Sequence, residues 1–244
     1  MTRYVRPGIY RRRLRVQTGR GWARADLEDD PHRYGVDLRH DGAHIGAVTA
    51  RALRTPWTAC HEAPALLERL QGAPLSPDPQ QVYRHCNGRE QCTHLLDLVG
   101  LAQAHAARGI ARCDYDAEVP CFDPGEPRDA ILRRNDREVL RWTLQGDTIV
   151  APARMAGLHL PSLMHWAKAE LDDRDEFEAL WVLRRAVFVA GNRLMDLDRM
   201  ARASDTGHIA GSCHVFTPGV ADRAWRMPGT TRDFTDPAEP MLQD

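Results

Sequence analysis

Lysine is nearly missing from this chain of 244 residues: Lys168 stands alone among 33 basic residues, the rest being arginine. That bias reads as a GC-rich coding background and carries no function. No run of side chains approaches the roughly 20 apolar residues that a membrane span requires. The opening stretch MTRYVRPGIYRRRLRV has charge but no apolar core of signal-peptide length, so a cytoplasmic protein is expected. A charge excess is absent as well. With 33 basic and 34 acidic residues the formal net charge is -1, which gives no field favouring nucleic acid or a membrane surface. The six cysteines contain no Cys-x-x-Cys pair and do not form a disulfide framework, so they are read as thiols. Walker loops, Gly-x-Gly-x-x-Gly turns, Gly-x-Ser-x-Gly elbows and His-Glu-x-x-His helices are all missing, which removes the familiar nucleotide, serine-hydrolase and zincin classes.

What is present is patterned. Residues 10–54 alternate in short segments broken by Gly and Asp-Gly turn signals, which predicts an antiparallel meander. EAPALLERLQG then predicts a short helix stopped by Gly72, followed by a proline-rich loop and the helical QQVYRH. A longer helix is expected from about Thr93 to Arg108, apolar almost all round and therefore buried between layers. Strand-like alternation returns over 110–152, with tight turns at Asn135-Asp136 and Gly146-Asp147. Two core helices follow, the second carrying Phe177, Leu180, Trp181, Arg184, Val187 and Phe188 at helical spacing. The last forty or so residues are expected to wrap the core, with one short helical segment around Val220 to Trp225.

A metal site needs thiolate, imidazole or carboxylate groups converging on one point. Asp30 and His32, Cys60, and Cys92 with His94 all fall at predicted element boundaries, where ligands are usually held. Inside one helix Cys92 and His94 would lie about 200° apart and could not share an ion. If Thr93 is the N-cap, Cys92 lies outside the first turn and can swing toward the helix mouth. Cys113 and Cys121 read as small hydrophobes, and Cys86 with His85 as part of an exposed turn. Arg54 and the tail arginines Arg223, Arg226 and Arg232 could hold a carboxylate by a planar fork.

The stretches LEDDPHRYGVDLRHDG, RTPWTAC, EQCTHLLDLVGLAQAHAAR and GSCHVFTPGVADRAWRMPGTTRDF resemble a bacterial family known only as a domain of unknown function. More distantly, the first half resembles the iron-sulfur cluster assembly scaffold, whose small antiparallel sheet and two helices present ligands at the sheet edge. That resemblance implies roles for Cys60 after the sheet, Cys92 at a helix start, and Asp30. It departs from the scaffold at His32, a different ligand type, and lacks the scaffold's first cysteine.

Together these features give an α+β chain: a scaffold-like meander with two helices over 1–108, then a second small meander, core helices and a covering segment over 109–244. The expected function is a metal-dependent enzyme, a lyase before a hydrolase, acting on a small acidic or aromatic catabolic substrate. The expected metal is zinc, with iron as the second choice. His32, Cys60 and Cys92 would be ligands; Asp30, His94 and Arg54 would act in catalysis; Arg232 and His214 would meet substrate. The alternative is a non-catalytic metal or iron-sulfur carrier that binds a partner protein. Expected partners otherwise are a small-molecule substrate and, at most, further copies of the chain.

Overall fold

The computed structural model describes residues 6–121, 125–207 and 211–243. Its architecture is α+β, with eight antiparallel strands and helices, as the alternation predicts. The chain forms two compact units. One comprises Leu14–Cys113 and Leu197–Arg232 with the C-terminal Leu242 and Gln243; the other holds most of the remaining described residues. The expected boundary at 108/109 falls just past a helix end, while residues 197–232 group with the N-terminal part of the chain rather than with 109–196.

In the first unit β1 (Gly8–Gly19, from Leu14 onward), β2 (Trp22–Asp29), β3 (Arg33–His40) and β4 (Ile45–Arg54) form a meander in the order β4-β3-β2-β1. Period-2 alternation sends Ala23, Ala25 and Leu27 of β2, and Tyr34, Val36 and Leu38 of β3, into the core. Helix α1 (Thr93–Arg108) packs on β2 and β3, with Leu95, Leu96, Leu98, Val99 and Leu101 all buried. Each such side chain contributes about 1.5–3 kcal/mol of burial free energy. Gly109, at φ 69°, ends the helix in the left-handed conformation that a Cβ disfavours.

Two local expectations differ from what is found. EAPALLERL is not an α-helix but part of a 3₁₀ stretch, Thr58–Leu70, because Pro64 inside it supplies no N–H and crowds the preceding turn. Around Val220 to Trp225 there are turns, and the tail's short helical piece is a 3₁₀ turn at His214–Phe216.

The β3–β4 ladder is irregular where it matters. Arg33 faces Arg54 while Tyr34 faces Ala52, so Leu53 is the extra residue of a bulge, 56% exposed. A bulge re-aims its neighbours, and here Arg54 comes to lie with its guanidinium on the β2–β3 turn.

The second unit holds a meander in the order β5-β6-β7-β8: β5 (Arg112–Cys121, from Asp114 onward), β6 (Arg128–Arg134), β7 (Arg137–Gln145) and β8 (Thr148–Ala151). Asn135 and Asp136 sit at φ 50° and 64°, the left-handed pair that a two-residue hairpin needs. Helices α2 (Leu163–Glu170) and α3 (Arg174–Ala190) follow, α3 capped by the Asp173 carboxylate on the N–H groups of Asp175 and Glu176. Leu180, Trp181 and Val187 face its core, whereas Phe188 is exposed beneath the Arg184 guanidinium.

Candidate metal centre

The β2–β3 hairpin closes with Asp29 and His32 exchanging backbone hydrogen bonds across Asp30-Pro31. The Asp29 carboxylate folds over that turn. Its Oδ1 accepts the His32 backbone N–H at 2.9 Å and lies 2.9 Å from His32 Nδ1. An imidazole held through Nδ1 by a carboxylate is fixed in orientation and offers Nε2 as a ligand.

At the mouth of α1 the N-cap residue is Cys92, one position before the expected Thr93. With φ -70° and ψ 114° it lies off the helical wheel, so its separation from His94 is not set by helix periodicity. Its sulfur stands 3.9 Å from His94 Nδ1. The His94 ring lies 4.0 Å, centroid to centroid, from that of His32. The result is that one donor atom each from Asp29, His32 and His94 lie within 4.8 Å of one another. Among the described residues no other three Cys, His, Asp or Glu donors converge this closely.

Two buried thiols adjoin the group. Burial pushes the Cys92 thiol up to about 12, with Cys213 adding to the rise, while the backbone amides of Leu95 and His94 and the Tyr34 hydroxyl pull it down. Burial likewise lifts Cys60 far above the ordinary thiol range, with Cys92 and Cys213 raising it further. Burial therefore favours the neutral form of both thiols, and a cation bound to such a thiol would deprotonate it.

Arg54 organises the turn. It donates to the carbonyl of Asp30, to those of Asp29 at 2.8 Å, His32 at 3.1 Å and Thr230 at 2.8 Å, and to Glu28 Oε1 at 3.1 Å. These bonds commit the guanidinium to the protein's own acceptors. Asp30, fully buried, enters through its carbonyl, which also accepts the Arg232 N–H at 2.9 Å.

The segment 197–232 lies across these elements. Thr58 N–H donates to Trp225 O, Met227 N–H to Pro56 O, and His214 N–H to Gln91 O, all within 3.0 Å. Buried Arg226 fastens it further through Pro56 O and braces the segment internally through Asp198. From the 3₁₀ stretch Glu62 takes a two-pronged ion pair from Arg223 of the segment and lies 3.2 Å from His214 Nε2. His214 is thus tied to Glu62, and the Arg232 side chain is exposed beside the Asp30 turn.

Of the residues expected from sequence, the structure brings His32, His94 and Cys92 together, with Cys60 adjoining through Tyr34. It places the Asp29 carboxylate in the group, and it gives Arg54 a supporting position. Asp29 was legible in principle: Asp-x-x-His is the spacing at which a carboxylate closes a turn on an imidazole. Tyr34 was also overlooked, since an aromatic residue on a strand reads simply as core. A separate depression of about 600 Å³ lies on the meander, lined by Gln17, Trp22, Arg24, Asp37, Arg39 and Thr49; it shares no residue with the cluster.

Residues 15–108 match a family described as protein of unknown function (DUF2889), in keeping with the resemblance to an uncharacterised domain. The matched stretch holds Asp29, His32, Tyr34, Arg54, Cys60, Cys92 and His94; Cys213, His214 and the rest of the covering segment lie beyond it. No curated protein matches the chain.

Proposed function

We propose that this protein is a metal-dependent enzyme whose ion is held at the β2–β3 turn and the mouth of α1. The observation that carries the reading is the convergence of Asp29, His32 and His94 within 4.8 Å, with the Cys92 sulfur 3.9 Å from His94. Two imidazoles, a carboxylate and a thiol form a borderline donor set, which suits zinc first and ferrous iron second. The first three resemble a two-histidine, one-carboxylate arrangement, but the hydrogen bond that Asp29 Oδ1 accepts from His32 Nδ1 fits an orienting carboxylate better than a ligand.

A metal bound here supplies a Lewis acid for a carbonyl or hydroxyl oxygen of a small organic substrate. The chain's own groups do the rest. Asp29 holds His32 in register, Arg54 holds the turn, and the covering segment keeps water from the thiol side. Arg232, exposed beside the turn, meets an acidic group of the substrate. Lyase chemistry is preferred to hydrolysis because the chain carries no serine-type nucleophile elbow.

The second reading, a metal or cluster carrier, is favoured by one observation: Cys60, Cys92 and Cys213 stand close enough to act electrostatically on one another. Against it, Cys60 and Cys92 are only 6% and 7% exposed under a hydrogen-bonded segment, where a carrier would present its ligands to a partner.

The test is metal analysis of the untagged full chain by plasma mass spectrometry, as purified and after reconstitution. Near-stoichiometric zinc or iron is expected, with at least about a tenfold loss of affinity in His32→Ala and in His94→Ala. A wild-type chain that binds neither metal would sink both readings. Metal that survives both histidine substitutions would place it elsewhere in the molecule.

A further inference from the structure

The imidazole and thiol donors share one neighbour that neither the motifs nor the donor chemistry singles out. Tyr34, the second residue of β3, is 1% exposed. Its ring lies 5.7 Å from the His94 ring at 20°, and 5.7 Å from the His32 ring at 25°, so both imidazoles stack against it. Its side chain adjoins the thiols of Cys60 and Cys92, and the Cys92 sulfur stands 3.9 Å from Nδ1 of the His94 ring that stacks on it. Strand alternation accounts for the ring, which lies opposite Leu27 on β2 and Ala52 on β4, and phenylalanine would serve that packing equally well. A hydroxyl buried beside two sulfurs contributes something else. Thiols are weak donors and weak acceptors, so the neutral pair is a poor partner for it. A thiolate is a charged acceptor and a far better one.

We propose that Tyr34 is a positioning residue of the metal site: its ring sets the planes of His32 and His94, and its hydroxyl donates a hydrogen bond to the metal-bound sulfur of Cys92. This rests on the metal reading above. The role deepens that reading by giving the phenol a task only the metal-loaded state requires. Groups that orient ligands in this way typically change metal affinity by about 10–100-fold.

The experiment is a cobalt(II) titration of the full chain against a competing chelator, following the sulfur-to-cobalt charge-transfer band, in wild type, Tyr34→Phe and Tyr34→Leu. Tyr34→Phe keeps the ring and should bind cobalt about 10–100-fold more weakly. Its band should move to longer wavelength, because a thiolate stripped of its hydrogen bond gives up charge more easily. Tyr34→Leu should bind more weakly still. Fluorotyrosine at position 34, a stronger donor of nearly the same shape, should move the band the opposite way and serves if Tyr34→Phe folds poorly. An unchanged affinity and band in Tyr34→Phe overturns the role of Tyr34 and leaves the metal reading standing. Cobalt bound by wild type without a sulfur band does the same. A wild-type chain that binds no cobalt overturns the metal reading, and this role with it.

Discussion

In the unit built on β5–β8, buried charge is matched locally. The Tyr115 hydroxyl donates to Glu178, and the fully buried Arg193 reaches Asp233 at 2.7 Å and the Thr235 hydroxyl at 3.1 Å. These contacts read as scaffolding. In the unit built on β1–β4, polar groups gather at a hairpin turn, a helix mouth and the start of a 3₁₀ stretch, three places where the regular backbone pattern stops. Ladder and helix hydrogen bonds are completed within their elements, so it is at the ends that side chains are free to converge on a shared point. The contrast separates groups that hold the fold from groups that hold something else.

The largest effect that sharpens this contrast should come from Arg54→Ala. It leaves Glu28 and a set of turn carbonyls without their cation, and an equilibrium denaturation curve should show a loss of about 3–5 kcal/mol together with loss of bound metal. Arg193→Ala removes a comparable buried arginine from the other unit. It should cost about 1–3 kcal/mol by the same measurement and leave metal content as it was. If Arg193→Ala also strips the metal, the two units are not separable and the contrast breaks. Asp29→Asn keeps the shape of the turn and removes its charge. Chelator competition should then show about a tenfold weaker affinity, with stability nearly unchanged.

The smallest effect concerns acid. The hydrogen bonds from Arg223, with His214 second, hold the Glu62 carboxyl at about 2, well below its ordinary 4.5. A depressed acid stabilises the fold above its ordinary range, and that share is lost as pH falls from 4.5 toward about 2. The stability gap between wild type and Glu62→Gln should therefore be small near neutrality and close over that window. Because the pair is exposed, added salt should shrink it too. A gap that widens in acid would show that Glu62 is not held by Arg223.

Much of the fold can be read from the chain because its signals are periodic. The alternation of β1 to β4, the Asn135-Asp136 turn and the span of α1 all follow from local pattern. The site is less legible. Asp29 and Asp30 are adjacent and chemically identical, and only closure of the turn decides which carboxylate meets His32. Arg54 looks like a substrate-binding arginine until the Leu53 bulge places it on backbone carbonyls. The Glu62 contacts join residues more than 150 positions apart, which no window of sequence displays.

The fastening of residues 197–232 has a practical bearing on where this domain ends. The matched family stretch, 15–108, contains Arg54 but not Thr230, and Pro56 and Thr58 but not their partners Met227 and Trp225. A fragment trimmed to those limits would expose the apolar flank of the 3₁₀ stretch and release the Asp30 carbonyl from Arg232. The stretch that matches the family and the unit that folds around His32 are therefore of different lengths, and the longer one is assembled from two distant parts of the chain.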